Sequence, residues 1–191
     1  GEIGTPLPGV EVEIRDSDGA VALDGDVGQI VVRGVNIFAG YFKEKEATSR
    51  VLDSNGWLFT GDIGVRSEDG TITLIDRSSD VIVVSGFSVF PSEVENVLIE
   101  HERVEQASVV GELDEKSGEI VIAYVAIDSD KEEIEDPRFR RQIEKELRDF
   151  CSSRLARYKI PSRFEFIDEL NVRASSRPLR KSLRSALRNI E

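Results

Sequence analysis

The chain has 191 residues, 39% of them apolar and 32% charged, enough apolar material for a packed core in one or two domains and too much for a disordered chain. With 25 basic against 37 acidic residues the net charge is −12, which excludes binding nucleic acid through phosphate neutralisation. One cysteine, Cys151, and one histidine, His101, exclude an internal disulfide and a zinc site, and no apolar run approaches the roughly 20 residues of a membrane helix. The lone thiol and an opening stretch, Gly1-Glu-Ile-Gly-Thr-Pro6, without a charged and then apolar leader set the expectation of a cytoplasmic protein with at most peripheral membrane association.

In chain order, Val10, Val12 and Ile14 alternate with charged residues, Asp18-Gly19 marks a turn, and Gln29-Ile-Val-Val-Arg33 and Thr71-Ile-Thr-Leu-Ile75 have strand character. Short strands punctuated by Gly and Asp predict a small antiparallel sheet or barrel, with one short helix over 43–52. After Arg77 the pattern changes. Val81-Ile-Val-Val84 is a strand, and Pro91 opens a helix whose Val94, Val97 and Leu98 share a face. Ala107-Ser-Val-Val110 and residues 119–127 are strands about an acidic turn; Phe139, Ile143, Leu147, Phe150 and Cys151 form a 3.6-residue stripe on a long helix. The predicted fold class is α+β: a small antiparallel β subdomain over 1–78, then a compact α/β domain over 79–191, joined at the polar step Arg77-Ser78-Ser79-Asp80.

Taken singly, the polar motifs have plain readings. Thr60-Gly61-Asp62 is a tight turn, Asp76-Arg77 an exposed ion pair and Ser85-Gly86-Phe87 a strand-end turn. His101 lacks a nucleophile or metal partner and is structural; Cys151 lies on the apolar stripe and is core. Over 173–191 the basic residues Arg173, Arg177, Arg180, Lys181, Arg184 and Arg188 face one acid, Glu191, which describes either a solvated basic helix or an arm that meets phosphate.

Their fixed order carries more. Gly1-Glu-Ile-Gly-Thr-Pro-Leu-Pro-Gly9, Gly28-Gln-Ile-Val-Val-Arg-Gly34, Ala39-Gly-Tyr-Phe42, Gly56-Trp-Leu-Phe-Thr-Gly-Asp62, Asp76-Arg77 with Asp80, Val84-Ser-Gly-Phe87, Pro91-Ser-Glu-Val-Glu95, Gly118-Glu119 and Tyr158-Lys-Ile-Pro161 run collinearly over almost the whole chain. The set resembles the adenylate-forming, AMP-binding superfamily of acyl-CoA synthetases, luciferases and peptide-synthetase adenylation domains. The stretch from Val84 to Glu95 is most similar to long-chain fatty acid–CoA ligases.

The resemblance implies adenylation of a fatty acid by ATP and then thioester formation with CoA. It makes 1–78 the end of the large AMP-binding domain and 79–191 the C-terminal lid domain, which rotates between the two steps. Asp62 is implied as the ribose anchor, because an ionised carboxylate accepts two hydrogen bonds at once. Arg77 is implied as its partner on the nucleotide, and Ser79, where relatives carry Asp or Lys, as the hinge. Val84, Ser85 and Gly86 are implied to line the CoA channel, where a missing side chain permits close approach. Near the C-terminus Ser176-Arg177 stands in the place of a Gly-Lys pair whose lysine bridges carboxylate and α-phosphate. Arg177 keeps the charge in a larger, planar form, and Lys181, one turn onward, is the lesser alternative. The phosphate loop, the acyl pocket and the glutamate that binds magnesium are expected upstream, in a missing N-terminal part of the same polypeptide, so the piece alone is expected to be inactive. Two other readings stand beside the ligase: a non-catalytic nucleotide-binding homologue that has lost adenylation, and a ligase that transfers to a carrier protein.

Overall fold

Val12 lies opposite Val32, and Ile14 opposite Ile30, on adjacent antiparallel strands, so the period-two alternation delivers their apolar side chains to one face. A computed structural model of the chain describes residues 1–129 and 135–167, and the chain divides into two compact units, Gly1–Ser79 and a second that begins at Asp80. The first unit is an antiparallel sheet of β1 (Glu2–Gly4), β2 (Val10–Arg15), β3 (Val27–Gly34), β4 (Leu58–Arg66) and β5 (Ile72–Arg77), in the order β1-β5-β4-β3-β2. Helix α1 (Lys45–Val51) falls within the segment expected to be helical.

Ile14, Ile30 and Ile72 form the core of this unit, flanked by Val12, Ala22, Val32 and Leu74. On β2 and β3 the opposite residues Glu11 and Arg33 pair, and Arg15 pairs with Glu13. The two guanidiniums lie over the Trp57 ring at 4.8 and 4.6 Å from its centroid, which leaves the indole 5% exposed and adds cation–π attraction to its burial.

The second unit contains β6 (Ile82–Val84), β7 (Phe87–Val89), α2 (Pro91–Ile99), β8 (Val104–Asp114), β9 (Gly118–Ile127), α3 (Pro137–Ser152) and β10 (Arg163–Phe166), with a 3-10 turn at Arg157–Lys159 before the last strand. The strand order is β10-β9-β6-β7, with β8 also on β9. The pair β9–β10 is parallel, which is why α3 must intervene: parallel neighbours need a long crossover. Helices α2 and α3 each place a proline in the first turn, and Asp136 caps α3 by accepting the Arg138 N–H at 2.9 Å.

Val94 and Leu98 of α2 and Ile143, Leu147 and Cys151 of α3 are buried with Ile82, Val89, Val109, Val121, Ala123 and Val125 in one core. Phe150, expected on the apolar stripe of α3, lies at its margin instead: it stands edge-on to His101 and beneath the Arg154 guanidinium, 3.7 Å away. Among the described residues no helix is long and apolar enough to cross a membrane.

Candidate functional site

In the first unit the polar residues gather at an irregularity of β4. Phe59 pairs with Val31 and Ile63 with Gln29, so Thr60, Gly61 and Asp62 stand opposite the single residue Ile30. The segment read alone as a turn is therefore a bulge within a continuous strand, the kind of irregularity that re-aims a side chain. Gly61 takes φ 75°, as the left-handed geometry requires. The Thr60 hydroxyl donates to the Ile30 carbonyl at 2.9 Å and accepts the Asp62 N–H at 3.0 Å, and the Ser78 N–H and hydroxyl both donate to the Gly61 carbonyl.

The bulge sets Asp62 opposite Arg77 on β5. Arg77 Nε lies 2.6 Å from Asp62 Oδ1. Asp76 is 7% exposed, so Asp76-Arg77 is not the exposed pair that adjacency suggested: the guanidinium turns across the sheet to Asp62, because neighbouring residues on a strand point to opposite faces. Oδ1 of Asp62 is buried, while the side chain as a whole stays 23% exposed. The result is an anchored carboxylate with an open edge, able to accept hydrogen bonds from a polyol. Ser79 closes this unit.

In the second unit the turn between β6 and β7 has Ser85 at φ 51° and Gly86 at φ 85°. Two successive left-handed residues make the tight hairpin connection that suits the twist of the strands. Glycine meets this at no steric cost, and among the described residues nothing lies within 4 Å of where its Cβ would be; Ser85 bears the strain of a side chain in the same region. The turn is held from two sides. Ser85 N–H donates to the Ser117 carbonyl at 2.7 Å, and Val83 N–H donates to Glu119 Oε2 at 2.7 Å. The Phe87 ring stacks on Tyr158, with centroids 4.7 Å apart and planes 22° apart. Next to Tyr158, Lys159 Nζ donates to both Glu93 oxygens at 2.6 and 2.7 Å. The Ser117 hydroxyl and N–H hold the Asp114 carboxyl below the usual aspartate range, which tightens the β8–β9 turn that receives the hairpin.

Glu93, Glu119, Tyr158 and Lys159 each belong to a motif legible in the sequence, yet the residues alone assigned them no role. Their contacts span up to 66 positions, which no local pattern reveals. His101 is packed into the second unit. It is 6% exposed, its Nδ1 accepts the Arg103 N–H at 3.3 Å, and its Nε2 faces Glu146 Oε1 at 3.3 Å. Cys151 is buried, and desolvation pushes its thiol up to about 11. Arg177 and Lys181 lie outside the described residues.

Residues 93–177 match the family described as AMP-binding enzyme C-terminal domain. The chain carries the C-terminal domain of AMP-binding enzymes. It is 40% identical over 191 residues to the 2-succinylbenzoate–CoA ligase of Geobacillus kaustophilus strain HTA426, covering all of this chain and 37% of that one. It is 37% identical over 188 residues to the long-chain-fatty-acid–CoA ligase of Escherichia coli O157:H7, covering 98% of this chain and 32% of the relative. Among solved structures, o-succinylbenzoate CoA synthetase (MenE) of Bacillus subtilis in complex with the acyl-adenylate intermediate OSB-AMP superposes with a TM-score of 0.77 at 37% identity, over 96% of this chain and 35% of that one. The amide bond synthetase McbA of Marinactinospora thermotolerans gives 0.77 at 37%, over 95% and 36%. The chain thus spans 37% and 32% of the length of the two curated relatives.

Proposed function

We propose that this chain is the C-terminal part of an AMP-forming acid–thiol ligase whose acid is a long-chain fatty acid. In the first step a carboxylate oxygen attacks the α-phosphorus of ATP and pyrophosphate leaves. In the second the CoA thiol gives up its proton and attacks the acyl carbon, and AMP leaves. Asp62, steadied by Arg77, accepts the ribose hydroxyls; the Ser85-Gly86 turn with Val84 admits the pantetheine arm; Ser79 is the hinge; and Arg177 neutralises the charge that develops at the α-phosphate. The magnesium that accompanies ATP, and the acid's own pocket, are assigned to residues outside this chain.

The observation that carries this reading is the Asp62–Arg77 clamp at the β4 bulge, an ionic acceptor with one open edge. Similarity to the long-chain-fatty-acid–CoA ligase supports the choice of acid. The match of the whole chain to 2-succinylbenzoate–CoA ligases favours a second reading, in which the acid is aromatic.

The test supplies ATP, magnesium and CoA to the full-length protein that carries this chain, with palmitate or 2-succinylbenzoate, and measures acyl-CoA and AMP. Acyl-CoA from palmitate is expected; product from 2-succinylbenzoate alone transfers the assignment to the aromatic acid. Product only from an Arg177→Lys variant, or only from ready-made acyl-adenylate, overturns the ligase reading and leaves a homologue that has lost its first step.

A further inference from the structure

Strands β6 and β9 pair at one position, Val84 opposite Gly118. In a regular antiparallel ladder Ser85 N–H donates to the carbonyl of residue 117 on one side of that pair, and the 83–119 rung on the other side includes a bond from Val83 N–H to the carbonyl of residue 119. The first is present at 2.7 Å. The second is replaced: the Glu119 carbonyl accepts the Ser117 hydroxyl at 2.9 Å, and the Glu119 side chain turns back so that its Oε2 accepts the Val83 N–H at 2.7 Å. The carboxylate occupies this place because residue 111, beside it on β8, is glycine. A Cβ there would stand 2.5 Å from Glu119 Oε1.

We infer that Glu119 is a positioning residue for acyl transfer to CoA, completing the β6–β9 ladder with its side chain and so fixing the strained Ser85-Gly86 turn. This inference rests on the ligase reading. A left-handed Ser85 persists only where its surroundings over-determine it. Beyond the turn, β7 is held by the Phe87–Tyr158 stack; before it, β6 pairs with β7 along its length but with β9 at Val84 alone, and Glu119 adds a bond to Val83 on the β9 side. Adenylation does not call on this turn, so the effect of losing Glu119 should fall on the second half-reaction.

The experiment uses the full-length protein and measures each half-reaction separately: pyrophosphate release from ATP and acid, and acyl transfer from preformed acyl-adenylate as a function of CoA concentration. Glu119→Ala is expected to lower kcat/KM for CoA roughly 5-fold, as loss of a partly exposed charge-assisted hydrogen bond should, with pyrophosphate release within about 2-fold. Glu119→Gln retains an acceptor oxygen and is expected to recover most of the loss. Equal loss of both half-reactions in Glu119→Ala would mark the residue as a fold stabiliser and overturn the inference, as would transfer at the wild-type rate. Absence of acyl-CoA from the wild type overturns the ligase reading and this role with it.

Discussion

Gly86 sits at φ 85° with nothing among the described residues within 4 Å of where a Cβ would be, so Gly86→Ala is expected to carry the left-handed backbone penalty alone. Urea titration is expected to show a loss of about 1–2 kcal/mol. Gly64 is constrained differently, since a Cβ there would lie 2.7 Å from both the Thr73 carbonyl oxygen and Ile30 Cδ1; glycine is kept there by close approach, not by φ. Cys151 is 0% exposed, and its thiol is pushed up to about 11 by burial. The unfolded thiol ionises near pH 8.5, so above that pH the unfolded chain sheds a proton that the folded chain retains. Stability should therefore fall as pH rises from about 8.5 towards 11, by up to about 1.4 kcal/mol per unit. Comparing denaturation midpoints of the wild type and Cys151→Ala across that range isolates the contribution. The folded thiol should also resist an aromatic disulfide reagent at pH 8 and react once urea unfolds the chain.

At the scale of elements, α2 does more than pack its apolar face. Glu95, 7% exposed, accepts the Val109 N–H of β8 at 2.8 Å, so an acidic helix residue meets a strand donor that β9 does not. Glu95→Ala would leave that buried donor unmet, at a cost of about 1–3 kcal/mol. A thermal melt of the variant measures it, and Glu95→Gln, which keeps an acceptor oxygen, is expected to lose less. The same device appears where Glu119 meets Val83 and where the Thr60 hydroxyl meets the Ile30 carbonyl. In each case a side chain serves the backbone of a strand that regular pairing leaves incomplete, and in two of the three the strand leads into a candidate site.

At the scale of the whole molecule, each unit closes its own core. Ile14, Ile30 and Ile72 belong to the first, and the cluster from Ile82 to Phe164 to the second. Residues 80–191 expressed alone are therefore expected to fold, with helical circular dichroism and a single cooperative melt. A featureless melt would show that the second core depends on the first unit.

Much of this architecture follows from local pattern. Val10, Val12 and Ile14 announce a strand by alternation; Pro91 and the spacing of Val94, Val97 and Leu98 announce α2; Ile143, Leu147 and Cys151 announce the buried face of α3. Each signal is periodic and short-range, which is what a chain displays without folding. The collinear motifs likewise carry the family resemblance without any geometry. Only the tertiary structure decided that Thr60-Gly61-Asp62 is a bulge and not a turn, that Arg77 turns to Asp62 and away from Asp76, and that Phe150 leaves the core for His101. It alone disclosed the links from Glu119 to Val83 and from Lys159 to Glu93. These depend on which strands become neighbours and in what register, and a register shift of one residue reverses every side chain's face. Sequence periodicity states that a strand has two faces; pairing across the sheet determines what each face meets.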